Sequence, residues 1–194
     1  MPSSVDDSVD AALAGAADAV RSAVPVRSAG RAPIILIDGR SGAGKSTLAA
    51  LVRDRLAGGV RVVSLDDLYP GWDGLARGAA AALEQILVPH SRGQTGRWLR
   101  WDWATDRPDT QAPDAVTAET TLIVEGAGVL TQASAQLADV TVWLESPARV
   151  RRARAMARDG ETYRPHWDRW AAQEDRHLAE NDPRSLADIV VDVL

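Results

Sequence analysis

No cysteine occurs in the 194 residues of this chain, which excludes a disulfide framework, a thiolate metal site and a cysteine nucleophile. No apolar run approaches the roughly 18 residues of a membrane-spanning helix, so no membrane partner is expected. The first residues, Met1-Pro2-Ser3-Ser4-Val5-Asp6-Asp7, carry acids where a secretory signal carries bases, and no apolar block follows them. A cytoplasmic protein is the expectation from these absences. An excess of positive charge is also missing. The formal net charge is −5, which argues against a dedicated nucleic-acid-binding surface. Phenylalanine is absent, yet there are seven tryptophans. Trp98, Trp101 and Trp103 lie close together, and Trp167 and Trp170 form a second pair. Indole offers a flat apolar face and one N–H, so it serves cores and pocket walls alike. Both roles stay open for the first cluster, and packing is expected of the second.

What the chain does contain is most informative at Gly39-Arg40-Ser41-Gly42-Ala43-Gly44-Lys45-Ser46-Thr47. This segment matches the phosphate-binding pattern G-x-x-x-x-G-K-[ST] at every fixed position. Pro33-Ile34-Ile35-Leu36-Ile37 before it reads as a buried strand. Lys45 to Ala57 after it reads as a helix, with Leu48, Leu51, Val52 and Leu56 on one stripe. A strand, a glycine turn and a helix start are what the chemistry requires. The glycines let backbone N–H groups turn inward, and the helix N-terminus adds partial positive charge. Lys45 would reach the β- and γ-phosphates of a nucleoside triphosphate, and the Ser46 hydroxyl would hold Mg²⁺.

The rest of the chain alternates between strands and helices. Residues 1–31 read as an N-terminal helix and linker, with Val5, Val9, Leu13, Ala16, Val20 and Val24 at helical spacing. Residues 32–194 read as one α/β domain. Strands are expected at Val60–Ser64, Thr120–Val124, Val140–Leu144 and Ala187–Val193. Helices are expected at Leu75–Leu87, stopped by Pro89, then from Pro147 through Arg158, and at Trp167–Asn181. The stretch 90–118 is irregular, with one short strand possible over Arg97–Trp103. This alternation predicts a parallel sheet with helices on both faces. Ligands bind such sheets beyond the carboxyl ends of the strands, where Gly39, Asp66 and Glu125 all fall.

Two acidic sites follow apolar strands. Asp66 or Asp67 could orient or deprotonate an attacking hydroxyl in phosphoryl transfer, or the pair could simply cap a turn. Glu125, at a strand end beside the phosphate loop, is placed to hold Mg²⁺ directly or through water.

Several elements resemble, in order, those of the uridine/cytidine kinase family within the group that includes phosphoribulokinase and pantothenate kinase. Asp66-Asp67-Leu68-Tyr69 resembles its D-x-F-Y signature, and Trp101-Asp102-Trp103 its Y-D-[FWY] element. Ile123-Val124-Glu125-Gly126 is similar to its strand-borne E-G. Arg151-Arg152-Ala153-Arg154 with Arg158-Asp159 resembles its arginine-rich lid, and Ala187-Asp188-Ile189-Val190 its final strand. The resemblance spans residues 33–192 and implies a P-loop kinase of the nucleoside/nucleotide-kinase type, using ATP and Mg²⁺. It implies Asp66 as catalytic base, Tyr69 near the substrate, Trp101 and Asp102 at the acceptor, and Glu125 with Ser46 at magnesium. Arg154 and Arg158 would close over the phosphates from a lid at about 158–166. The acceptor region departs from the family: Pro70-Gly71-Trp72-Asp73-Gly74 stands where a ribose-binding segment with histidine and phenylalanine belongs. The resemblance still implies a nucleoside as the favoured small-molecule acceptor. A non-nucleoside alcohol, or a nucleotide-binding regulatory module without acceptor chemistry, is the alternative. A GTPase is disfavoured by the lack of an N-K-x-D box, and a transporter ATPase by the lack of L-S-G-G-Q. The sequence leaves the oligomeric state open.

Overall fold

A computed structural model describes residues 4–25, 30–111 and 113–193, with side chains from Ser8 onward. The side chain of Val5 and most of the expected linker thus lie outside the described residues. The chain begins with α1 (Ser4–Ala23), β1 (Ile34–Gly39), α2 (Lys45–Arg55) and β2 (Val60–Ser64). A 3₁₀ turn over Leu65–Asp67 leads to α3 (Leu75–Ala82) and α4 (Val88–Ser91). Four short strands follow: β3 (Gly96–Trp98), β4 (Trp101–Asp102), β5 (Arg107–Pro108) and β6 (Asp114–Val116). Then come β7 (Thr121–Glu125), α5 (Gln132–Ala135), β8 (Val140–Glu145), α6 (Ala148–Tyr163), α7 (Trp167–Asn181) and β9 (Ile189–Asp192).

Five of these strands form one parallel sheet in the order β2-β7-β1-β8-β9. Its central strand, β1, is buried along its whole length, as a strand covered by helices on both faces must be. On one face Ile35, Ile37, Ile123, Val142 and Leu144 pack against Leu13, Ala17 and Val20 of α1 and Leu48 and Val52 of α2. On the other, Ile34, Leu36, Leu122 and Val124 meet Leu75, Ile86, Ala155 and Trp170. The expected stripe on α2 is present, with Leu48 and Val52 fully buried and Leu51 and Leu56 partly so.

Two local expectations are corrected. Pro89 does not stop the helix that starts at Leu75. Helical structure runs on to Ser91 through a π-helical stretch, Leu83–Leu87, where the Val88 N–H donates to the Leu83 carbonyl. The widened turn directly precedes Pro89, which sits in the first turn of α4. The single strand expected over Arg97–Trp103 is divided at Leu99-Arg100. Residues β3 pair with β6 and β4 with β5, both antiparallel. Arg100 breaks the run because its guanidinium is held by Asp114 at 2.6 Å and its carbonyl by the Asp109 N–H at 2.7 Å.

Strand register brings the motifs together. Glu125 lies opposite Ser64 on one side and Ile37 on the other. The phosphate loop, the Asp66 turn and Glu125 therefore leave the same edge of the sheet within two residues of each other. Beneath that edge Asp38, 1% exposed, accepts N–H groups from Gly39 (2.6 Å), Gly128 (3.0 Å) and Leu130 (2.8 Å). His177 Nε2 of α7 lies 3.1 Å from the same carboxylate. Asp38→Ala would strand these buried donors. It is expected to lower unfolding stability by about 3 kcal/mol or more, since each unpaired buried polar group costs about 1–3 kcal/mol. Urea unfolding checks this.

Candidate functional site

The phosphate loop curls as its glycines demand. Gly42 has φ +80°, and a Cβ there would lie 2.2 Å from the Arg151 carbonyl oxygen. Only glycine allows that backbone and that approach of α6. Gly44, also in the left-handed region, precedes the first turn of α2, and the Ala43 N–H donates to the Arg40 carbonyl at 3.1 Å. Lys45 Nζ folds back to the same carbonyl at 3.2 Å. Ser46 Oγ donates to Glu125 Oε1 at 3.0 Å. Glu125 is only 4% exposed. Burial pushes its carboxyl above the ordinary range, the Lys45 ammonium opposes this, and Asp66 adds to it.

These residues fit the groups that the motif implies. The turn from the loop into α2 would offer the N–H groups of a helix N-terminus and one ammonium to a triphosphate. Ser46 and Glu125 are hard oxygen donors already in contact, as Mg²⁺ prefers. Among the described residues no three acidic or histidine side chains are grouped so as to hold a metal ion. A magnesium ion here would thus complete its shell from phosphate oxygens and water, its usual arrangement in phosphoryl-transfer sites.

Next to the loop lies a cavity of about 560 Å³. Its aromatic walls are Tyr69, Trp72, Trp103, Tyr163 and Trp170, and its polar groups are Ser41, Asp66, Arg158, Asp159 and Thr162. Trp72 lies nearly parallel to His166 (centroids 4.3 Å apart) and to Tyr163 (5.3 Å), with Trp103 tilted against it at 5.0 Å. Trp170 meets Tyr69 edge-on at 4.8 Å. Trp103 Nε1 donates to the Asp66 carbonyl at 2.8 Å, fixing the backbone of the acidic turn.

The structure sorts the residues singled out in the sequence. Asp66 is exposed and faces the cavity. Asp67 is turned toward Arg100, 3.9 Å away, and burial raises its carboxyl. The ring of Tyr69 lines the cavity, but its buried hydroxyl is committed to the Ala127 carbonyl at 2.7 Å. Trp101 and Asp102 are not brought to the cavity. The Asp102 carboxylate closes its own turn, accepting from Thr105 Oγ1 at 2.6 Å and from the Ala104 N–H at 2.9 Å. Those bonds hold its carboxyl below the usual range.

Among the arginines of α6, Arg158 reaches the rim, where it pairs with Asp159 at 2.7 Å. Arg154, partly buried, is not among the lining residues. Arg151 is the one that touches the loop: it is buried and donates to the Ser41 carbonyl at 3.2 Å and the Ser146 carbonyl at 3.0 Å. The segment 158–166 is helical apart from Gly160, whose φ of +56° and ψ of −130° break the helix.

Sequence reasoning missed Trp72, Tyr163 and Glu174 as parts of the site, and it read Trp170 as packing alone. Trp72 lies in an unpatterned loop and carries no local signal. The spacing of Trp170, Glu174, His177 and Asn181 on one helix stripe was a signal, since polar groups there interrupt an otherwise inward face.

No protein-family model matches the chain, and no curated protein matches its sequence. Solved structures do resemble it. A possible uridine kinase from Bacillus stearothermophilus superposes with a TM-score of 0.66 at 20% identity, covering 98% of this chain and 100% of that one. A putative fructose transport system kinase from Silicibacter sp. TM1040 gives a TM-score of 0.54 at 22% identity, covering 92% and 98%. At these identities the likeness is one of fold, that of the kinase-like P-loop proteins. Among the described residues no helix is long and apolar enough to cross a membrane.

Glu125 generates an expectation of opposite sign for stability and binding. Its folded-state pKa is raised, so burying the ionised form costs stability, and this cost is present at neutral pH and disappears below the ordinary glutamate range. Glu125→Gln is therefore expected to match or exceed the wild type in thermal stability at pH 7, with that advantage vanishing in acid. The Mg²⁺ dependence of nucleotide binding is expected to weaken in the same variant. Melting curves across pH and calorimetric titrations check the two arms.

Proposed function

We propose that this chain is an ATP-dependent kinase that phosphorylates a hydroxyl of a small molecule, with an uncharged, ring-bearing, nucleoside-like compound as the acceptor. The position of Asp66 carries the reading. It lines the aromatic cavity that Ser41 of the phosphate loop also lines, and it acts electrostatically on Glu125 together with Lys45. A carboxylate between a phosphate cradle and an acceptor-sized cavity is where phosphoryl transfer needs a base.

The loop N–H groups and Lys45 would neutralise and orient the β- and γ-phosphates, while Ser46 and Glu125 would hold Mg²⁺. When bound, magnesium ATP supplies the phosphoryl group. Asp66 would accept the proton of the acceptor hydroxyl as its oxygen bonds to the γ-phosphorus and the bond from that phosphorus to the bridging oxygen breaks, releasing ADP. Arg158 would exchange Asp159 for phosphate oxygens, and Arg154 is the further cation that a movement of α6 could bring in.

The walls favour the acceptor class. Five of the lining side chains are aromatic, and the one cation among them, Arg158, is paired with Asp159. An anionic acceptor would meet the carboxylates of Asp66 and Asp159, with Arg158 needed by the phosphates, whereas a flat neutral ring can stack on indole.

A screen of nucleosides, sugars and vitamin-like alcohols for ATP-dependent phosphorylation tests this directly. With an active acceptor, Asp66→Asn is expected to retain ATP binding and lose roughly 10²–10⁴-fold in turnover, the range for removal of a general base. Asp67→Asn should change turnover little, because that carboxylate is directed to Arg100. Lys45→Ala should weaken magnesium ATP binding in calorimetry without lowering the melting temperature. Tight ATP binding with no acceptor phosphorylated in the screen would favour the nucleotide-binding module without acceptor chemistry.

A further inference from the structure

We infer that Glu174 is a positioning residue for the phosphate loop, and that α7 links the loop to the aromatic wall of the cavity. This rests on the reading that the loop binds nucleotide. Glu174 is 2% exposed. Its Oε1 accepts the backbone N–H of Ser41 at 2.7 Å, and its Oε2 accepts Arg40 Nε at 2.9 Å. Arg40 is held further by Asp175 at 2.7 Å and the Ala171 carbonyl at 3.3 Å. The carbonyl of this same Arg40 receives Lys45 Nζ. One buried carboxylate thus fixes Arg40, on whose carbonyl the phosphate-binding lysine rests, and its neighbour Ser41, through charge-assisted bonds of the stronger kind.

The helix carrying Glu174 also builds the acceptor side. One turn earlier Trp170 forms cavity wall. Gln173 donates to the Trp72 carbonyl at 2.8 Å and accepts the Leu75 N–H at 3.3 Å, and Arg169 pairs with Asp73. One turn later His177 reaches Asp38, directly under Gly39. Residues 170, 174 and 177 share one helix stripe. Ser41 is met from α6 as well, by Arg151 at its carbonyl and by Tyr163 at its side chain. A shift of the loop on nucleotide binding would therefore pass through Glu174 into the Trp170 wall. If Glu174 were scaffold alone, it would support the loop without carrying that signal.

The test uses the full chain labelled with 5-fluorotryptophan, fluorine resonances assigned by single Trp→Phe variants, and magnesium ADP as probe. In the wild type, ADP is expected to shift the Trp170 and Trp72 resonances. In Glu174→Ala, ADP affinity is expected to fall about tenfold, the loss expected of one charge-assisted bond. The Trp170 shift should then vanish even at saturating ADP. Glu180→Ala, which removes an exposed carboxylate of the same helix, should leave both unchanged. Where Glu174→Ala is too unstable to titrate, Glu174→Gln carries the test. Its amide keeps a bond to Ser41 but loses the charge, and the Trp170 shift should fall to half or less. A full-sized shift in the Glu174 variants, or no shift in an ADP-saturated wild type, overturns the linkage. Failure of the wild type to bind ADP would overturn the nucleotide reading, and this inference with it.

Discussion

Asp38 sits where β1 passes into the phosphate loop, with almost no solvent exposure, and the site is assembled around its carboxylate. A buried charge is tolerable only if its oxygens are fully hydrogen-bonded. Here the donors come from three segments far apart in the chain: Gly39 at the start of the loop, Gly128 and Leu130 after β7, and His177 on α7. Asn181 lies 3.2 Å from His177 Nδ1 and extends the network along α7. Satisfying one carboxylate thereby sets the phosphate loop, the segment after Glu125 and α7 at fixed positions relative to each other.

Two kinds of physics divide the site. On the phosphate side the groups are charged or polar and short-range: Lys45, Ser46, Glu125 and the backbone donors of the loop. On the cavity side the walls are aromatic, and their contacts are largely with one another through Trp72, Tyr163 and Trp170. Asp66 stands at the junction, its backbone pinned by the Trp103 indole. Burial of Glu125 is unfavourable to its ionised form. A local loss of stability of that kind is ordinary at sites whose groups are arranged for a ligand.

The basic helix α6 shows how one sequence pattern serves several ends. Five arginines lie between Arg149 and Arg158, and the sequence does not distinguish them. Position on the folded helix does. Arg151 points inward and supports Ser41, Arg158 reaches the cavity rim, and Arg152 is exposed to solvent. Pro89 and Asp102 teach the same lesson at smaller scale. A π-helical turn accommodates the proline, and a turn of the chain satisfies the carboxylate. Both depend on backbone geometry that residue identity alone does not specify.

The phosphate loop was legible because its chemistry is contiguous: strand, glycine turn, lysine and helix start follow one another within fifteen or so residues of chain, about the span over which local rules act. The parallel sheet was legible because strands buried on both faces are apolar throughout, as in Ile34-Ile35-Leu36-Ile37. Glu125 and Asp66 could be placed at one end of the sheet because Glu125 closes the apolar strand β7 and Asp66 follows directly on β2. The aromatic cavity and the Glu174 contact were not legible. Trp72 and Trp170 are 98 positions apart, and Glu174 meets Ser41 across 133. Contacts at such separations are decided by how helices dock on the sheet. The sequence by itself therefore determined the strand, glycine loop and helix start of the phosphate-loop motif, and the tertiary structure alone decided what stands beside it, because side-chain convergence depends on packing rather than on order along the chain.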